Sequence, residues 1–213
     1  LMANTSFIHA LAKKGDIEVL SASPETLMGN DPNIIFSYLA DPKTSDKSGP
    51  EFASDLVELL EGAAAFPGGR KNLQFADTFG AYDLSPTKGQ KMADSLQTLF
   101  KAVVAEPQFA QYVKEDIMAC PTYGINRFVN LQFGINQRDI IQVAERIAND
   151  ARIGSDAIKQ ACKDVVAATE AVVLKQKMDE RYADRRGPTL YLPTESFAID
   201  ERLMNTDLLK SSG

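Results

Sequence analysis

Two neighbouring stretches constrain this chain most. Asn136 can cap a helix carrying Ile140, Ile141, Ala144, Ile147 and Ala151 on one side, and Ser155 can cap another carrying Ile158, Cys162, Val165, Thr169 and Val172. Each has one apolar stripe opposite a charged face, so each must bury that stripe against another layer. Ser85-Pro86 opens a third such helix, with Met92, Leu96, Leu99 and Val103 on one side. Strand-like runs lie between helical ones. Phe7, Ile8, Leu11 and Ala12 suit a helix that Gly15-Asp16 ends, and Ile17–Leu20 follows as a β-rich run. Pro32–Leu39 reads as a short helix capped by Asp31, Asp41–Pro50 as an exposed loop and Phe52–Leu60 as a helix. Lys71–Leu84 holds a strand, Pro107–Cys120 is helical, Phe128–Leu131 is extended, and Thr189–Leu192 is a last strand closed by Pro193. Strands alternating with helices predict an α/β fold, an open sheet flanked by helices. No linker or repeat divides the chain, so residues 1–213 are read as one domain.

Composition excludes several classes of function. The formal net charge is −6 and the basic residues are scattered, which leaves no footprint for nucleic acid. No apolar run approaches the ~20 residues of a membrane span; even Ala161–Leu174 is broken by Lys163, Asp164 and Glu170. Two cysteines are too few for a disulfide framework or a thiolate metal site. The chain starts at Leu1, with no basic-apolar-small leader, and reads as a cut end.

With one histidine in the chain, any internal Ser-His or Cys-His pair must use His9. Its place beside Ile8 and Leu11 reads as a packed or surface residue. Cys120, in Met118-Ala119-Cys120-Pro121, and Cys162, on an apolar stripe, read as structural thiols. Pro67-Gly68-Gly69-Arg70 is a turn without the helix start that would cradle phosphate. Carboxylate pairs such as Glu58/Glu61 and Asp179/Glu180 read as solvated faces. No catalytic residue, metal ligand or required cofactor is assigned from the residues themselves.

Four landmarks nevertheless occur in a recognisable order. Leu1-Met2 leads into a helix and then into Ile17-Glu18-Val19-Leu20-Ser21-Ala22-Ser23-Pro24-Glu25-Thr26. Ala81-Tyr82-Asp83-Leu84-Ser85 precedes a long helix, Phe128-Val129-Asn130-Leu131 follows, and Gly187-Pro188-Thr189-Leu190-Tyr191-Leu192-Pro193 closes the series. This succession resembles the clostripain family of cysteine peptidases, whose catalytic cysteine is followed by Leu-Met, a helix and a strand ending in a Ser-Pro turn. The later landmarks are similar to that family's Asp-Leu-Ser, Tyr-Val-Asp-Leu and Gly-Leu-Ser-Ile-Tyr-Phe-Pro segments. Asn130 departs from the acid expected there, and Pro188 intrudes into the last segment.

The resemblance implies a caspase-like fold of which this chain is the C-terminal part. It implies a cysteine nucleophile just before Leu1, and an N-terminal portion or light chain carrying the catalytic histidine as partner. Peptide or protein substrates cleaved after Arg or Lys, a dependence on calcium in some members, self-cleavage into two chains, and a secreted or cell-envelope location in a bacterium are further expectations of that kind. Ser21, Ser23 and Glu25 would then line the substrate pocket at the end of the strand beside the nucleophile, with Glu25 paired to a basic side chain. Ser23-Pro24-Glu25 reads equally well as the start of a turn. A catalytically silent caspase-like binding module is the alternative to a peptidase. If the central strands belong to the partner portion, the chain is expected to expose strand edges and apolar helix faces.

Overall fold

A computed structural model of the chain describes residues 3–23, 32–61, 78–123, 137–178 and 183–192. Helix α1 spans Thr5–Lys14; Asn4 caps it by accepting the Phe7 N–H, and Gly15 ends it at φ 77°, a left-handed conformation that glycine adopts without steric cost. Strand β1 is Val19–Ala22, α2 is Pro32–Leu39, and a short 3-10 turn at Pro42–Thr44 interrupts the expected loop before α3, Gly49–Glu61. Strand β2, Phe79–Asp83, feeds α4, Pro86–Ala105; α5 is Ala110–Ala119. Then come β3, Gln137–Asp139, α6, Ile140–Asn149, α7, Asp156–Glu170, β4, Val173–Lys177, and β5, Thr189–Tyr191.

A three-stranded antiparallel sheet, in the order β1-β2-β4, is covered on both faces. Residues alternate across it, as strand geometry requires. Val19, Phe79, Ala81 and Leu174 meet Ala53 and Val57 of α3. Leu20, Ala22, Tyr82 and Val173 meet Ile8 and Ala12 of α1, Met92 of α4 and Ala168 of α7. At the α1–α4 crossing the helices approach so closely that a Cβ on Gly89 would lie 2.4 Å from that of Ala12. A second core joins the stripes of α4, α5, α6 and α7 to Leu190 and Leu192 at the end of β5. The expected open sheet flanked by helices is therefore present, and the stripes at Ile140–Ile147 and Ile158–Val165 are buried as their spacing requires.

Several local expectations are corrected. The cap of α6 is Asp139, whose carboxylate accepts the Gln142 N–H, and not Asn136; Ala151 lies in an exposed turn beyond that helix. Ser85 stands at the N-cap of α4 but its hydroxyl makes no capping bond; Asp83 accepts the Ser85 N–H and the Lys88 ammonium beside it. Ser155 does cap α7, accepting the Ile158 N–H. Strands β3 and β4 lie where no strand was expected. Residues Asp31, Phe128–Leu131, Asn136 and Pro193 lie outside the described residues, as do 71–77 of the expected second strand. No helix among the described residues is long and apolar enough to cross a membrane.

Candidate active-site wall

The segment entering α1 is held from two sides. The Ala3 N–H donates to the Ser23 carbonyl just past β1 (3.2 Å), and the Thr189 N–H at the start of β5 donates to the Ala3 carbonyl (2.9 Å). The Thr189 hydroxyl reaches the same carbonyl at 3.4 Å, and Asn4 forms a parallel bridge with Thr189. Ala3, Thr5, Ser23 and Thr189 are all buried, so these bonds are made in a poorly solvated place and hold three separate parts of the chain together. Beside them the hydroxyls of Ser23 and Thr78 bond to each other at 2.9 Å, tying the end of β1 to the residue that opens β2.

Of the residues expected in a substrate pocket, Ser21 is half-buried on β1 opposite Ala81, on the face of the sheet that α3 covers. Ser23 is buried against Thr78 at the end of that strand. Glu25, together with Leu1 and Met2, lies outside the described residues. A groove of about 420 Å³ bordered by Asn33, Ser37, Tyr38, Asp41 and Leu59 lies along α2 and α3, and none of Ala3, Ser23 or Thr189 lines it.

Behind Thr189 lies a buried polar cluster that the sequence did not announce. Asp139, the register partner of Thr189, is fully buried. Its Oδ1 accepts the Gln142 N–H at 2.9 Å; its Oδ2 accepts the N–H groups of Arg186 and Gly187 at 2.8 and 2.7 Å and the Tyr123 hydroxyl at 3.4 Å. Burial pushes the Asp139 pKa up, opposed by the backbone donors. The Arg185 guanidinium lies 4.3 Å over the Tyr123 ring and donates to the Thr122 carbonyl. Arg138, pointing the other way along β3, donates to the Cys120 and Leu192 carbonyls. Burial and then the Asp139 charge raise the Tyr82 pKa, and its hydroxyl has no hydrogen-bond partner among the described residues. The one sequence signal for this cluster is the pair Arg138-Asp139 standing directly before an apolar helical stripe, where a charged pair has no reason to be buried unless it is bonded.

The chain's own thiols are placed for packing. Cys120 and Cys162 both belong to the α4–α7 core, and burial raises their pKa values to about 11 and about 12. His9 is buried on α1 beside the α1–sheet core, and its Nδ1 has no partner among the described residues. No hydrogen bond joins Cys120 to His9 among the described residues, so the arrangement has none of the marks of a nucleophile with its base. No group of three or more His, Cys, Asp or Glu side chains among the described residues is arranged to hold a metal ion.

No protein-family model matches the chain, and no curated protein sequence matches it. A solved structure of a B. fragilis cysteine protease is similar to it, with a TM-score of 0.56 at 12% identity, covering 100% of this chain and 83% of that one. At so low an identity the likeness speaks to fold. Joined to the helix-covered sheet described above, it identifies this chain's architecture as a caspase-like α/β fold.

Proposed function

We propose that the chain forms the wall of the active site in a cysteine endopeptidase of the clostripain kind, one that cleaves after Arg or Lys. The observation that carries this reading is the likeness to a solved cysteine protease over the whole chain, in a fold whose segment entering α1 is clasped between β1 and β5. The nucleophilic cysteine and its histidine then come from sequence N-terminal to Leu1. The burial of Cys120, Cys162 and His9 supports this assignment, because none of them has the exposure and partners that an activated pair needs. Backbone donors beside the nucleophile would stabilise the oxyanion, and the histidine would take the thiol proton. Ser21, Ser23 and Glu25 are proposed as the part of the pocket that this chain supplies, with the Glu25 carboxylate pairing with the basic side chain of the substrate.

The test uses the complete protein and fluorogenic peptides ending in Arg, Lys or Leu. Hydrolysis after Arg or Lys, abolished by iodoacetamide, is the expected result. Hydrolysis that a thiol reagent leaves intact would refute the cysteine mechanism. Absence of any hydrolysis would instead favour a silent binding module on the same scaffold.

A further inference from the structure

We propose that Asp139 is a positioning residue for the candidate site: its buried carboxylate ties the loop entering β5 to the start of α6 and, through Thr189, fixes Ala3 in place. As a positioning role it rests on the peptidase reading above, whereas the brace itself stands on the hydrogen bonds alone.

Capping α6 needs only one acceptor, and Ser, Thr or Asn would serve there as well as Asp. Asp139 uses Oδ1 for that task, on the Gln142 N–H. Its Oδ2 has a separate duty, taking the N–H groups of Arg186 and Gly187 and the Tyr123 hydroxyl. Four donors converge on two oxygens. Only a carboxylate accepts on both; an amide has one acceptor oxygen and would turn its NH2 against N–H groups that also need an acceptor. The second duty explains why the residue is an acid in a fully buried place, where a charge without such donors would be costly.

The loop so held passes very close. A Cβ on Gly187 would stand 3.0 and 3.1 Å from Ile141 side-chain carbons and 3.2 Å from Asp139 Oδ1. The next residues continue the connection: the Ile140 N–H donates to the Pro188 carbonyl at 3.3 Å, the Thr189 N–H to Ala3, and the Ala3 N–H to Ser23. An unbroken series of bonds thus runs from the cap of α6 to the end of β1. Arg185 packs over Tyr123 on the same cluster. Loss of the Oδ2 contacts would free the start of β5 and therefore the segment that β5 clasps.

Amide hydrogen exchange and peptide hydrolysis on the complete protein test this with two variants, Asp139→Asn and Gly187→Ala. In D139N, the amides of Arg186, Gly187, Thr189 and Ala3 are expected to exchange about tenfold faster or more, with α4 and α7 unchanged. G187A crowds Ile141 and Asp139 Oδ1 from the loop side while keeping the carboxylate, so it should push the loop away from Oδ2 and loosen Thr189 and Ala3. If wild type hydrolyses peptides, kcat should fall about 100-fold in both variants with little change in KM. Faster exchange in D139N at Gln142 and the first turn of α6 alone, with G187A like wild type, would overturn the proposal and leave Asp139 a helix cap. A raised KM at unchanged kcat would overturn the positioning role. A wild type without peptidase activity would defeat the reading of the site, and the exchange data would still decide whether the brace exists.

Discussion

Replacing Ser23 with Ala tests whether the end of β1 is pinned from within. Ser23 and Thr78 are 4% and 0% exposed, and their hydroxyls bond at 2.9 Å. Removing the Ser23 hydroxyl forfeits a bond worth about 1 kcal/mol and strands the Thr78 hydroxyl away from water, so the expected loss is about 1–3 kcal/mol. A loss near 2 kcal/mol corresponds to a fall of about 4–8 °C in Tm for a chain of this size. Thr78→Val alone removes the same bond and should cost about 1 kcal/mol. The double variant S23A/T78V removes both partners and should be far closer to wild type than the sum, with a coupling of about 1 kcal/mol or more. Urea and thermal unfolding of the four proteins give the cycle. A neutral S23A, or strictly additive losses, would refute the pin. The same proteins also test Ser23 as a pocket residue: if its hydroxyl touches substrate, S23A/T78V regains stability but keeps a raised KM.

Two further outcomes follow from the buried groups. With Cys120 raised to about 11, about one thiol in 10⁴ is ionised at pH 7, so iodoacetamide should modify Cys120 and Cys162 only after denaturation; rapid labelling of either in the native protein, read by mass spectrometry, would contradict their packing. Asp116 on α5 is buried, and its pKa is raised by that burial and then by the nearby Asp150 charge, against the pull of Arg146. Its folded-state pKa lies above the unfolded value, so its favourable contribution is present below the unfolded pKa and lost as pH rises through the folded one. Asp116→Asn should therefore gain stability relative to wild type between about pH 4 and pH 7, measured by urea midpoints at both; the same difference at both pH values would refute this.

Much of the architecture was legible because it rests on side-chain spacing. The stripes Met92-Leu96-Leu99 and Ile158-Cys162-Val165 recur at helical intervals, and helices of that kind bury their stripes wherever the partner lies. Strand β4 was not legible. Val173–Lys177 follows α7 after a two-residue turn and all five residues are half-buried, so no strong alternation marks it; pairing with β2 makes it a strand. Strand β3 is three residues long, and its polar sequence Gln-Arg-Asp has no strand signature. Its Arg138 and Asp139 are buried because backbone groups distant in sequence receive them. The same limit hides the candidate site. Ser23 could be placed at a strand end from its neighbours, whereas the meeting of Ala3, Ser23 and Thr189 depends on contacts that no local pattern encodes.

The contact between Ala3 and Thr189 spans 186 positions. Made first, in an unfolded chain, it would cost about 4–5 kcal/mol of loop-closure entropy before any packing returned it. Once the sheet and the α4–α7 core have formed, the two residues are already neighbours and most of that cost has been met by other contacts. The clasp is thus expected to close among the last steps of folding. During synthesis, a ribosome-bound chain that has not yet released β5 can already bury most of the α4–α7 stripes, while the segment entering α1 still lacks its bond to Thr189.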